Sequence, residues 1–218
     1  MGSKAINERE VITLQAWKVG ILLFDDVEVL EFAGPFEVFS VTAFNRGQRD
    51  VFQPFDVSTI AAASGKLVTA NNGLKVITDY DLADAPLFDL LVIPGGRGTR
   101  REMNNPEVLD WIRRQDKTAQ WMASICTGAL LLAKCGLLDG KRATTHWASL
   151  EYLRQNFPQI AVIENVKFVD EGHIVTSAGV SAGLHMAFHM VQRLLGTETA
   201  QDTARMMEFD IQFEEQME

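Results

Sequence analysis

Gln120-Trp121-Met122-Ala123-Ser124-Ile125-Cys126-Thr127-Gly128-Ala129 decides the fold of this chain. Gln120 to Ile125 is a short apolar run of the kind a buried parallel strand presents. The small residues after it read as the start of a helix. A strand that turns tightly into a helix is the repeating unit of a doubly wound α/β sheet, and such sheets gather their ligands at the carboxyl ends of the strands. Cys126 stands on that seam, where the amides of a helix N-terminus can favour a thiolate. It is a candidate nucleophile. The alternative is a buried structural cysteine, a common fate for this residue.

The rest of the chain supplies more units of the same kind. Trp17 to Phe24 reads as a first central strand ended by Asp25-Asp26, followed by a helix with Pro35 in its first turn. Phe55 to Ala61 is a second strand. Leu67-Val68-Thr69 and Leu74 to Ile77 flank Asn71-Asn72-Gly73, which predicts a peripheral hairpin. Asp89 to Ile93 is a third strand, stopped by Pro94-Gly95-Gly96-Arg97-Gly98, and Pro106 opens an amphipathic helix through Val108, Leu109 and Ile112. A strand-like Ala143-Thr144-Thr145 precedes His146. Val166–Val169 and Ile174–Ser177 form a second hairpin around Asp170-Glu171-Gly172, and a helix from about Ser181 to Leu195 closes the core. The prediction is one α/β domain with a mostly parallel sheet over residues 17–196, an extension at 1–16 and an acidic or helical tail at 197–218.

Composition narrows the function. With 218 residues, 47% of them hydrophobic, the chain can bury a full single core. Its formal charge of −9, from 29 acidic and 20 basic residues, disfavours a nucleic-acid surface. No run reaches the length of a membrane span, and Met1 to Ala16 has neither the apolar stretch nor the charge pattern of a signal peptide. A cytoplasmic protein is expected. Cys126 and Cys135, the two cysteines, lie nine positions apart along one helix. At ~1.5 Å per residue they are roughly 13 Å apart, beyond disulfide reach, so both are expected to be free thiols.

Other residues could serve the thiol. Gly95 and Gly96 follow a strand and could bring an amide to a developing oxyanion, or could be an ordinary glycine turn. They lack the spacing of a dinucleotide loop or a P-loop, so no nucleotide cofactor is implied. Glu31 lies among Val29, Leu30, Phe32 and Ala33, where a buried carboxyl would hold its proton to a high pH; the alternative is an exposed loop acid. Glu28 and Glu37 read as solvent-facing. His146 could orient the thiol or cap the next helix. His173, His185 and His189 show no acid partner at fixed spacing, and no metal site is expected.

Pro94-Gly95-Gly96, Ser124-Ile125-Cys126-Thr127-Gly128, Gly136 through Trp147 and Thr176 through Gly183 together resemble the ThiJ/PfpI superfamily, in the order that superfamily uses. The resemblance runs from about Val19 to Gly196. It implies a flavodoxin-like three-layer α/β/α fold, a nucleophile elbow at Cys126 and an acid from the segment after the first strand hydrogen-bonded to it, the position of Glu31. Thr127, with Ala143-Thr144-Thr145-His146-Trp147, is similar to the isonitrile hydratase branch and to the sensor domains of AraC-type regulators. Protease and chaperone branches carry His or Ala after the nucleophile. Isonitrile hydratases carry Asp where Glu31 stands, and relatives tend to carry Ile-Asp where this chain has Leu184-His185. The resemblance implies a cysteine-dependent small-molecule hydratase with Cys126, Glu31 and Thr127 as catalytic residues, Gly95, Gly96 and His146 around the substrate, no cofactor, and a homodimer. The alternatives it leaves are a redox- or ligand-sensing module and an aldehyde-directed, glyoxalase-like enzyme. AraC-type relatives append a helix-turn-helix pair, whereas 22 acidic-leaning residues follow Gly196, so DNA binding in cis is not expected.

Overall fold

The computed structural model describes residues 16–47, 49 and 51–213. The 1–15 part of the N-terminal extension and the acidic run 214–218 lie outside them. In chain order the elements are β1 (Trp17–Leu23), α1 (Val29–Val41), β2 (Phe55–Ala61), β3 (Leu67–Thr69), β4 (Lys75–Ile77), β5 (Tyr80–Asp81), β6 (Leu90–Ile93), α2 (Thr99–Glu102) and α3 (Pro106–Asp116). There follow β7 (Trp121–Ile125), α4 (Gly128–Lys134), β8 (Arg142–Ala143), α5 (Leu150–Asn156), β9 (Ala161–Val162), β10 (Phe168–Asp170), β11 (Ile174–Ser177), α6 (Ala182–Leu195) and α7 (Thr197–Met206).

Seven strands form the central sheet in the order β10-β11-β7-β6-β1-β2-β5. All neighbours are parallel except β10, which runs antiparallel to β11 at one edge. The chain winds outward from β1 through β2 and returns to β6 on the other side of β1, so the order reverses between β1 and β6. That reversal opens a crevice at the strands' carboxyl ends. Leu90, Leu91, Val92 and Ile93 of β6 are all fully buried, as a central strand covered on both faces requires. Each such side chain contributes roughly 1.5–3 kcal/mol. Helices α1, α6 and α7 pack on one another, and α3 and α4 pack together beside β6 and β7. This is the mostly parallel three-layer α/β arrangement expected from the sequence.

Most local signals hold. Asn105 caps α3 by accepting from the Glu107 amide at 3.1 Å, and Pro106 occupies its first turn. The β3–β4 hairpin forms its own two-stranded sheet. Three expectations are corrected. Pro35 lies inside α1 rather than in its first turn, because the helix begins at Val29. Its missing N–H leaves the Glu31 carbonyl without the usual helical donor. The strand-like Ala143-Thr144-Thr145 reduces to Arg142–Ala143, paired with β9 in a small separate sheet, because the Thr144 amide turns to the Thr176 hydroxyl at 2.9 Å. Two histidines do find acids, brought together by the fold: His173 Nε2 with Asp116 at 2.8 Å and His189 Nε2 with Asp170 at 2.7 Å. The segment after Gly196 folds as α7, burying Ala200, Thr203 and Ala204, and Phe209 beyond it stacks on Phe188. No described helix is long and apolar enough to cross a membrane.

Candidate active site

The turn from β7 into α4 places Cys126 at φ 56°, the left-handed region, where a non-glycine residue costs about 1–2 kcal/mol. Three backbone contacts hold it there. The Cys126 amide donates to the carbonyls of Ser177 (3.1 Å) and Ala178 (3.2 Å), and its carbonyl accepts from the Thr145 hydroxyl at 2.6 Å. Gly128 permits the turn, since a Cβ there would strike the Ile93 carbonyl oxygen. Cys126 is buried, with 7% of its surface exposed, and both cysteines are free thiols.

Glu31 belongs to the first turn of α1, not to a loop, and is fully buried. Its Oε2 accepts from the Gly95 amide at 2.7 Å and its Oε1 from the Val180 amide at 3.2 Å. The carboxyl and the Cys126 thiol are also close enough for each to act on the other's protonation. Burial pushes it up from 4.5 to about 7; the hydrogen bonds from Cys126, Gly95 and Val180 pull it down, and the Glu28 charge adds to the rise. Burial also holds the Cys126 thiol well above the ordinary thiol range, reinforced by the Glu31 charge and hydrogen bond, while the amide and hydroxyl of Thr127 oppose it. The expected amide support for a thiolate is therefore present at Thr127 but outweighed by burial. Near neutral pH the proton that is gained and lost is therefore that of Glu31, while Cys126 keeps its own.

Thr127 and the two glycines complete the wall. Thr127 Oγ1 accepts from the Gly96 amide at 3.0 Å and lies 2.9 Å from Thr99 Oγ1. Gly95 is required by close approach: a Cβ there would lie 2.5 Å from Thr127 Oγ1 and 2.9 Å from Glu31 Oε2. The Gly95 and Gly96 amides thus already donate within the protein, one to Glu31 and one to Thr127, rather than standing free for an oxyanion. His146 is not brought to the sulfur by a hydrogen bond. Its Nδ1 accepts from the Ala148 amide at 3.3 Å, the capping role, and its ring packs on Gly179. The neighbouring Thr145 is what touches the backbone of Cys126.

Sequence reasoning gave no role to Thr99, Thr145, Ala178 or Val180. The one local signal was the run of small residues from Ser177 to Gly183 after a strand, which allows close backbone approach. Glu28 is only half-buried and accepts from Asn71 Nδ2 at 2.9 Å, so it braces the β3–β4 hairpin, and Glu37 is exposed as expected. Among the described residues no three His, Cys, Asp or Glu side chains converge as a metal site.

The chain is similar to known proteins in sequence and in fold. The chain is 33% identical over 196 residues to the isonitrile hydratase of Pseudomonas putida, covering 89% of this chain and 79% of that one. It is 30% identical over 179 residues to the HTH-type transcriptional regulator CdhR of Pseudomonas aeruginosa, covering 82% of this chain but about half (51%) of the regulator. Among solved structures, a ThiJ/PfpI family protein from Pseudomonas syringae superposes with a TM-score of 0.79 at 25% identity, over 97% of this chain and 83% of that one. Drosophila melanogaster DJ-1beta superposes at 0.77 with 22% identity, over 90% of this chain and all of that one, a likeness of fold. The profile of the DJ-1/PfpI family matches residues 17–193, which span β1 through almost all of α6 and hold Cys126, Glu31 and every residue that bonds them, and the chain belongs to that family.

Proposed function

We propose that this protein hydrates a small isonitrile to an N-substituted formamide, with Cys126 as nucleophile and Glu31 as the proton carrier. The observation that carries the reading is Glu31: fully buried beside the Cys126 thiol, held by the Gly95 and Val180 amides, its carboxyl pushed up to about 7 by burial. A group poised near the working pH can both give and take a proton. The sulfur, having passed its proton to Glu31, forms a bond to the terminal carbon of R–NC, and that carbon takes the proton from Glu31 to give a thioimidate. Water then adds across the C=N bond, its oxygen to the carbon and one of its protons, passed through Glu31, to the nitrogen. Collapse of this intermediate re-forms C=O as the C–S bond breaks, the hydroxyl proton passing through Glu31 to sulfur, and releases R–NH–CHO. The sum is isonitrile plus water to formamide.

Thr127 supports the sulfur through its amide and hydroxyl, while Gly95 and Gly96 hold Glu31 and Thr127 in register. Likeness to the Pseudomonas putida hydratase supports the reaction class. Glu31 in place of Asp keeps the acid and adds one methylene. Leu184 packs on Gly34 of α1, where relatives carry Ile. The working unit in this reading is a homodimer in the cytoplasm, and light scattering of the purified protein should give twice the mass of one chain. Incubation with cyclohexyl isonitrile should yield the formamide, and turnover no greater than that of Cys126→Ala removes the assignment.

A second reading has one observation in its favour: the chain is 27–30% identical, over more than four-fifths of its length, to transcriptional regulators of which it spans about half. It is a sensor module whose buried thiol reports a ligand or an oxidant. Mass spectrometry after mild peroxide separates the redox form of this reading: Cys126 no more reactive than Cys135 counts against it.

A further inference from the structure

One described cavity shares a wall with the reactive pair. It holds about 430 Å³ and is lined by His146, Trp147, Val166, Lys167, Val180 and Ala182, with Asn165, Ser181 and the Ala178-Gly179 backbone completing it. Ala178 and Val180 line it and also bond the pair: the Ala178 carbonyl accepts the Cys126 amide, and the Val180 amide donates to Glu31. The cavities beside α7 and at the ends of β1 and β2 share no residue with that pair's hydrogen-bond partners. The volume lies in the ordinary range for a small-molecule pocket.

Its lining has a distinct chemistry. Trp147 is 78% exposed at the rim, its ring 5.4 Å from that of His146, an aromatic surface without a folding role. The exposed Val166 and Val180, the half-buried Ala178 and the buried Ala182 give it apolar walls. Lys167 is the lining residue with a fixed charge, and no carboxylate lines the cavity. Among the described residues its ammonium makes no ion pair or hydrogen bond, although its field reaches His185 and helps hold that imidazole's pKa down, after burial. In a chain of net charge −9, an unneutralised cation beside an apolar, aromatic-rimmed cavity is a local reversal of the overall field.

We infer that this cavity receives the body of the small molecule whose reactive end meets Cys126, and that it selects an aromatic or branched apolar body bearing an anionic group, with Lys167 on the anion and Trp147 on the ring. The reaction assigned to that molecule rests on the hydration reading; the pocket and its charge preference do not.

Unreactive product-like probes separate the two. Formanilide, 4-formamidobenzoate and 4-formamidobenzylammonium are titrated calorimetrically into the wild type, Lys167→Gln and Trp147→Ala. The anionic probe should bind about threefold to tenfold more tightly than the neutral one, as expected for a partly exposed charge-assisted contact, and the cationic probe most weakly. Lys167→Gln should bring the anionic and neutral affinities together, and added salt should narrow the gap in the wild type. Trp147→Ala should weaken all three. An unchanged order of affinity in Lys167→Gln, or no saturable binding of 4-formamidobenzoate, overturns the inference. Lys167-dependent binding with no isonitrile turnover keeps the pocket and removes hydration. Equal turnover of phenyl isonitrile and 4-isocyanobenzoate in both wild type and Lys167→Gln removes the pocket and keeps hydration.

Discussion

Glu31→Gln should change how the stability of this protein depends on pH, and the size of the change follows from burial. The carboxyl titrates near 7 in the folded chain against 4.5 for an ordinary glutamate, because its fully buried site disfavours the charge more than two amide donors and a thiol can offset. The folded pKa lies above the unfolded one, so the folded state binds the extra proton between those values. The stability this confers is complete below about 4.5 and is lost as pH rises through about 7. At about 1.4 kcal/mol per pH unit the loss is about 3 kcal/mol. Glutamine cannot ionise and resembles the protonated acid in shape. Its amide oxygen can accept from Gly95 or from Val180, but its NH₂ then faces the other donor, so the variant starts somewhat less stable at acid pH. Urea unfolding followed by circular dichroism from pH 4.5 to 8 should show the wild-type advantage over Glu31→Gln shrinking by about 3 kcal/mol. A difference that stays flat, or that grows with pH, refutes the claim that Glu31 is held protonated by its burial.

Gly95→Ala forces a Cβ to within 2.5 Å of Thr127 Oγ1 and 2.9 Å of Glu31 Oε2, so the variant should lose roughly 1–3 kcal/mol and most isonitrile turnover; urea unfolding and formamide assays with wild-type values would contradict the close-approach argument. Ser124 is buried with no hydrogen-bond partner for its hydroxyl, so Ser124→Ala should be neutral or more stable by about 1 kcal/mol, and a clear loss in thermal unfolding would mean the hydroxyl is satisfied. Asp170 is pulled from 3.8 to about 2 by His189, the Gly172 amide and Arg193 against the opposing effect of burial. Its contribution is present above 3.8 and lost as pH falls through about 2, so Asp170→Asn should be less stable at neutral pH with a shallower acid limb. Identical acid-unfolding curves would refute this.

The amino-acid sequence by itself determined the elements whose signals are local. Phe55–Ala61 is a strand with the bounds its apolar, β-branched run predicts, Asn105-Pro106 starts a helix through a cap and a fixed φ, and Asn71-Asn72-Gly73 turns a hairpin. The tight turn that carries Cys126 was legible because a strand-to-helix seam of small residues is itself a local pattern. Pro35 misled, because a proline is read as a helix start unless packing extends the helix ahead of it, as the burial of Glu31 and Phe32 does here.

The tertiary structure alone decided which backbone amides meet Glu31 beside the sulfur. Glu31 and Val180 are 149 residues apart and Gly95 and Glu31 are 64 apart, so nothing in the sequence around any of them announces the bonds they share. The partners of His173 and His189 are likewise set by strand order and helix packing. Local backbone preference acts over a few residues and is written in the chain. The protonation of a buried carboxyl depends on the dielectric and the donors around it, and those come from four separate segments that the parallel sheet gathers at the carboxyl ends of its strands.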